Sequence, residues 1–407
     1  LDVLLEKVSI PDSIIEIGSN AFLYTTLYSS AKANNDRFIY ADNWIVGIND
    51  TVSEDKKTTV LNKDYINADT IGIADYVFAN NSSLVTVNLP SSVKYIGNRA
   101  FLGCSNITKV TTNGCVQIGD GAFSGCLTAM FTLNKGLVKI GNYAFYGCKS
   151  LVNRKINGEI DLSRSVVPNT VTEIGTRAFE NTGLWDSPDQ YGVIYAGNWI
   201  VGCVNPTATI EITLSNVAGI SNYAFYDTVN LEYVVLNEGL EEIGAYSFRG
   251  ASKLKNIYLP STLKSIGNFA FKDCMSLDNL FLGSKLETIG KHAFYNCNNL
   301  TLYTELQTKT ETWNTMFNSS NRPIIYNSSI SEDLKYIIEF KFDSLYCFNI
   351  NEFRYINDPT REGYVFEGWE VTYVDEEGNN IVKIFKSDEL INLANGSEVK
   401  AIWKSEN

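Results

Sequence analysis

One motif, Ile-Gly-x-x-Ala-Phe, returns along the chain and ends at Phe22, Phe78, Phe101, Phe123, Phe145, Phe179, Phe225, Phe248, Phe271 and Phe294. The intervals are 56, 23, 22, 22, 34, 46, 23, 23 and 23 residues, so the unit is 23 residues long. A unit this short cannot close a core of its own. Each copy must bury its apolar side against its neighbours, which makes the chain a quasi-one-dimensional solenoid.

Aligning the copies gives Leu-x-x-Ile-x-Leu-Pro-x-x-Leu-x-x-Ile-Gly-Asn-x-Ala-Phe-x-x-Cys-x-x-Leu, best seen from Leu254 to Leu277. The alternation at its start predicts one short strand of a parallel sheet per coil, with Ile257 and Leu259 inward and Asn256 and Tyr258 outward. Pro11, Pro90, Pro168 and Pro260 follow the strand, where a residue without an amide hydrogen ends the ladder. The motif's third slot holds Ser19, Asp75, Asn98, Asp120, Asn142, Thr176, Asn222 and Asn268, with Ala245 and Lys291 as exceptions. Those eight are helix N-cap residues. Glycine before them and Ala-Phe after them predict a tight corner entering one short helical turn, with the Phe driven into the core.

These repeats resemble the BspA-type (Treponema pallidum type) leucine-rich repeat family, over about residues 1–326. The resemblance implies an α/β solenoid on a secreted or surface-exposed protein, with a role in adhesion or binding. Residues 302–326, including Tyr303, Trp313 and Phe317, look like the segment that closes such arrays, as an open solenoid end needs.

Two intervals are long, and they share text. Phe38-Ile-Tyr-Ala-Asp-Asn-Trp-Ile-Val-Gly47 recurs as Val193-Ile-Tyr-Ala-Gly-Asn-Trp-Ile-Val-Gly202, so the array consists of two related super-units. The 46-residue interval equals two units and predicts a coil lacking the motif. The 56-residue interval adds a ten-residue charged loop around Glu54 to Lys57, and the 34-residue interval a loop or hairpin near Arg154 to Val167.

Residues 330–407 read as a second domain. Gly363-Tyr364-Val365-Phe366-Glu367-Gly368-Trp369, with Ala401-Ile402-Trp403, resembles the Listeria-Bacteroides repeat, a small β-grasp-like module of Gram-positive surface proteins. That resemblance implies a spacer or interaction unit with no catalytic residues. A turn is expected at Asp375 to Asn379 and a short helix at Ser387 to Leu393.

Composition narrows the function classes. A net charge of −13 argues against nucleic acid and against anionic membrane surfaces. No run of about 18 apolar residues provides a membrane span. The chain opens inside a coil, at Leu5-x-x-Val8-x-Ile10-Pro11, so we expect a piece of a longer extracellular or cell-surface protein, monomeric and without cofactor.

Eight cysteines invite a disulfide reading. Cys104, Cys126, Cys148, Cys274 and Cys297 stand three residues after the motif Phe, a slot otherwise held by Thr25, Asn81, Thr182, Thr228 and Ala251. A slot for small side chains favours buried thiols over bridges or metal, and no Cys-x-x-Cys occurs.

No catalytic set and no metal or cofactor site emerges. His292, the only histidine, fills a variable corner slot, and Cys297 is the nearest cysteine, in the buried row. What remains is a binding surface. The outward strand positions are polar early, as at Thr86, Asn88, Lys109 and Thr111, but later present Val235, Tyr258 and Phe281 in one column with Tyr233, Asn256 and Asn279 beside it. Outward aromatics mark protein or sugar contacts, or else stack on one another as a ladder. Three functions compete: an adhesion protein binding a host protein, matrix component or glycan; a passive scaffold; and an enzyme needing a domain absent here.

Overall fold

The Ile-Gly step brings successive coils into direct backbone contact. In the computed structural model, which describes residues 4–34, 36–49, 59–153, 155–156, 159–160, 165–211, 217–326, 364–374, 380–385 and 398–405, a Cβ on Gly97 falls 2.7 Å from Asp75 N. One on Gly119 falls 2.7 Å from Asn98 N. Real side chains do not tolerate such distances, so glycine is needed where one motif corner stacks on another; Ala74 and Ser221 hold the slot in the two coils that follow the hairpins.

The result is the expected solenoid of parallel strands, but each coil carries two strands rather than one. The Ile of the motif lies in a two-residue strand: Gly72–Ile73, Tyr95–Ile96, Gln117–Ile118, Lys139–Ile140 and Glu173–Ile174 pair in parallel, Ile opposite Ile at every step. A second sheet runs Val60–Leu61, Thr86–Asn88, Lys109–Thr111 and Met130–Thr132. The later half repeats this. Trp199–Cys203, Gly219–Ile220, Glu242–Ile243, Ser265–Ile266 and Thr288–Ile289 form one face. Thr209–Glu211, Tyr233–Val235 and Asn256–Tyr258 form the other, followed by a further sheet of Asn279–Leu282, Thr301–Thr304 and Ile324–Ile325. Leu302, Trp313 and Phe317 of the expected cap are buried.

The corner between the sheets is a turn, not a helix. Its amides bond to the next coil, as Phe78 N–H does to Ala100 O at 2.8 Å and Phe101 N–H to Ala122 O at 2.8 Å. The third-slot side chains cap between coils as well. Asp75 Oδ1 accepts from Asn98 N–H at 2.6 Å, Asn98 Oδ1 from Asp120 N–H at 2.8 Å, and Asp120 Oδ1 from Asn142 N–H at 2.7 Å. They are cap-type residues because a corner amide needs an acceptor, and that acceptor comes from the preceding coil.

The core is a stack of rings. Phe78, Phe101, Phe123, Phe145 and Phe179 lie parallel with centroids 5.1, 5.1, 5.8 and 5.3 Å apart. Phe225, Phe248, Phe271 and Phe294 continue at 4.8, 5.3 and 5.7 Å. Phe38 meets the first stack edge-on and Phe317 meets the last. The five row cysteines are buried, free thiols whose Sγ donates to the preceding coil's Phe carbonyl, from Cys104 to Phe78 O at 3.0 Å through Cys297 to Phe271 O at 2.9 Å. Thr182 and Thr228 bond the Phe carbonyl of their own coil instead, which explains why Cys and Thr share the slot.

The two long intervals hold antiparallel hairpins. Phe38–Ala41 pairs with Trp44–Ile48, and Val193–Ala196 with Trp199–Cys203, with the same bulge after the second residue. The 46-residue interval holds the expected coil lacking the motif, whose strands Trp199–Cys203 and Thr209–Glu211 continue the two sheets, with Val193–Ala196 folded back on it as the first arm of the hairpin. A helix, Thr26–Ala33, precedes the first hairpin and a four-residue 3-10 turn, Gly183–Asp186, the second. Residues 5–10, expected as the first strand, join no sheet: Leu27 N–H bonds Leu5 O, and Ile10 N–H bonds Asp42 Oδ2. The insertion after Leu151 contains the antiparallel pair Lys155–Ile156 and Glu159–Ile160. Toward the C-terminus, Tyr364–Val374 pairs antiparallel with both Asn380–Phe385 and Glu398–Ser405. The charged loop at Glu54 to Lys57, Cys347, the turn at Asp375 to Asn379 and the helix at Ser387 to Leu393 lie outside the described residues.

Candidate functional site: exposed aromatic faces of the later coils

The outward positions of the later coils fall in register. Tyr233 pairs with Asn256 and Val235 with Tyr258, while the inward Val234 and Ile257 are buried. Asn279 pairs with Thr301 and Phe281 with Tyr303 in the next sheet. All six of the residues expected on this face are half-buried. The column is longer than the sequence suggested. Tyr303 follows Phe281, and Ile325, 45% exposed, follows Tyr303. Counting from the motif Phe missed Tyr303, because the strand pairing advances only 22 residues from Asn279 to Thr301. Lys255 Nζ lies over the Tyr233 ring at 5.4 Å and bonds Glu232 Oε2 at 2.7 Å.

A second aromatic face stands on the corner. Every motif's fourth slot carries a positive φ, from 52° at Arg99 to 65° at Tyr223, and nine of the ten residues there are not glycine. Tyr223, Tyr246, Phe269 and His292 stack outside the core at 4.8, 4.9 and 5.1 Å. Arg177 lies over Tyr223, and Arg249 over both Tyr226 and Tyr246. Left-handed backbone at bulky residues is unfavourable by about 1–2 kcal/mol each. The stacking between coils offsets it. This row was legible only as a variable slot.

His292 ends that row. Its Nδ1 is 2.6 Å from Ser319 Oγ and its ring meets Tyr295 edge-on, while Cys297 Sγ bonds a core carbonyl. The two do not form a nucleophile-base pair. Trp44 and Trp199 are core residues, not surface ones, and each packs on a glycine, Gly72 or Gly219, across the sheet. Trp199 Nε1 donates to Val171 O at 2.9 Å. Among the described residues no cluster of His, Cys, Asp or Glu suits a metal ion, and no helix is long and apolar enough to cross a membrane.

The BspA type leucine rich repeat region matches the chain in six copies over residues 2–42, 71–186 and 218–351. The first gap begins within the first hairpin, after Asp42, and the second contains the whole of the second hairpin. No curated protein matches. Among solved structures, the chain is similar to a leucine rich cell surface protein from Faecalibacterium prausnitzii A2-165, at 19% identity over 82% of this chain and 88% of that one, with a TM-score of 0.33. It is similar to the pneumococcal vaccine antigen PcpA at 19% identity over 72% and 71%, with a TM-score of 0.34. A leucine rich repeat protein from T. pallidum matches at 21% identity over 60% and 78%, with a TM-score of 0.20.

Proposed function

Since this chain belongs to the BspA-type leucine-rich repeat family, we propose that it is a non-catalytic binding protein of the cell surface or secreted space. Its solenoid contacts a host or matrix protein or a glycan through the face bearing Tyr233, Val235, Asn256, Tyr258, Asn279 and Phe281. Residues 330–407 serve as a separate β-grasp-like spacer or interaction module, and the protein acts as a monomer.

The observation that carries this reading is two outward runs, Val235 beside Tyr258 in one sheet and Phe281, Tyr303 and Ile325 in the next, which give the later coils aromatic and apolar side chains on their outward positions. Aromatic side chains bury much area with few rotatable bonds, and they dominate the energetics of protein contacts.

Immobilised protein exposed to a panel of matrix proteins and glycans tests the proposal. Saturable binding of at least one is expected. No binding across the panel favours a passive scaffold that displays another domain.

A further inference from the structure

We propose that the first hairpin bounds a binding site for a short neutral oligosaccharide. A cavity of about 650 Å³ opens between the helix Thr26–Ala33, the strand Phe38–Ala41 and the loop bearing Tyr65 and Asn67. That volume lies within the roughly 300–1,000 Å³ of small-molecule sites.

The same hairpin recurs 155 residues later, and there the equivalent tyrosine is held within its own coil. In the second copy Asp189 Oδ2 accepts from Tyr195 Oη at 3.0 Å, and Asp189 Oδ1 accepts from Tyr191 N–H and Val193 N–H at 2.9 and 2.8 Å. Tyr195 is sealed, 1% exposed. In the first copy Asn34 stands where Asp189 does, and the equivalent Tyr40 accepts from Asn67 N–H of the loop at 3.1 Å and stays half-buried on the cavity wall. The shorter 3-10 turn of the second copy replaces the eight-residue helix that walls the cavity in the first.

The lining selects the class of ligand. Glu6, Asp36 and Asp42 face Lys7 and Arg37, so the charges nearly cancel and neither a phosphate nor a cation finds a dominant field. The wall is too polar for a lipid. Carboxylates that accept, a guanidinium that donates and amides that do both suit the hydroxyls of a polyol, and the Tyr65 ring, 45% exposed with the Arg37 guanidinium 4.0 Å from its centroid, supplies an apolar surface for a sugar's C–H face.

Calorimetric titration of the full chain with lactose, maltotriose, cellotriose and N,N′-diacetylchitobiose tests this, with pyrophosphate and a mixed tripeptide as contrasts. Saturable binding of at least one neutral sugar is expected, weakened about tenfold or more by Tyr65→Ala and by Ala31→Trp, which fills the cavity from the helix. Lys109→Ala, on an early coil away from both the cavity and the sheet face, is expected to leave this binding unchanged, and because Tyr65 and Ala31 lie outside the sheet face the site stands or falls independently of it. Binding of none of the four sugars, binding of only pyrophosphate or the tripeptide, or sugar binding indifferent to both cavity variants overturns the proposal.

Discussion

At Tyr246 the backbone and the side chain pull in opposite directions. Its φ of 58° is one that an L residue adopts at a penalty, yet its ring stacks on Tyr223 at 4.8 Å and on Phe269 at 4.9 Å. Tyr246→Ala removes the rings' contact and keeps the strain, whereas Tyr246→Gly removes both. Glycine is therefore expected to be the more stable replacement, by about 1 kcal/mol, the reverse of the usual order. Denaturant melts of the two variants decide it. The row cysteines give a second test at this scale. Burial pushes the Cys104 thiol up to about 11 and Cys148 to about 12, and Cys126 is raised further in the same direction, with the neighbouring Cys148 and Cys104 adding to it. The folded chain thus holds these protons to higher pH than the unfolded chain. The stability they contribute is whole below about pH 8.5 and is lost as pH rises through the folded values. Denaturation midpoints should fall between pH 8 and pH 11, and the fall should be smaller in Cys126→Ala. Equal falls in the two proteins would show that the thiol does not titrate this way.

The coil is held by a ladder of third-slot side chains, and the ladder has a gap. Asn222 Oδ1 accepts from Ala245 N–H at 2.6 Å and Asn268 Oδ1 from Lys291 N–H at 2.6 Å, but Ala245 offers no acceptor to the Asn268 amide between them. Ala245→Asn should supply it and raise stability by about 0.5–1.5 kcal/mol, read as a shift in denaturant midpoint. No gain would mean that the corner amides are already satisfied by solvent. Much of this element was legible in the sequence, because a repeat shows the same position many times: the inward Ile and Leu, the Phe in the core and the small donor slot all follow from the alignment. What escaped was what no single coil can reveal. Asp75, Asn98 and Asp120 read as caps of their own turn because the alignment shows their type and not their partner, which is in the next coil. The Ile before the glycine forms a strand only two residues long, too short for any alternation to register. The hairpins at Trp44 and Trp199 were visible as repeated text, but their burial depends on Gly72 and Gly219, well over a dozen residues later.

Along the whole molecule the two faces differ from one end to the other. The early coils turn Thr86, Asn88, Lys109 and Thr111 outward on the second sheet, and the later ones turn outward the half-buried Val235, Tyr258, Phe281 and Tyr303 and the exposed Ile325. A solenoid distributes stability over nearest-neighbour contacts, so outward residues can change along it without disturbing the stacked Phe core. That separation allows the decisive measurement. The double variant Tyr258→Ala, Phe281→Ala and the unaltered chain are compared for binding to a matrix protein or glycan identified in the panel, and for thermal midpoint. Binding is expected to be abolished while the midpoint stays nearly unchanged, because half-buried outward side chains contribute little core area. Binding retained while the midpoint falls would contradict this expectation, and would make the column a structural ladder.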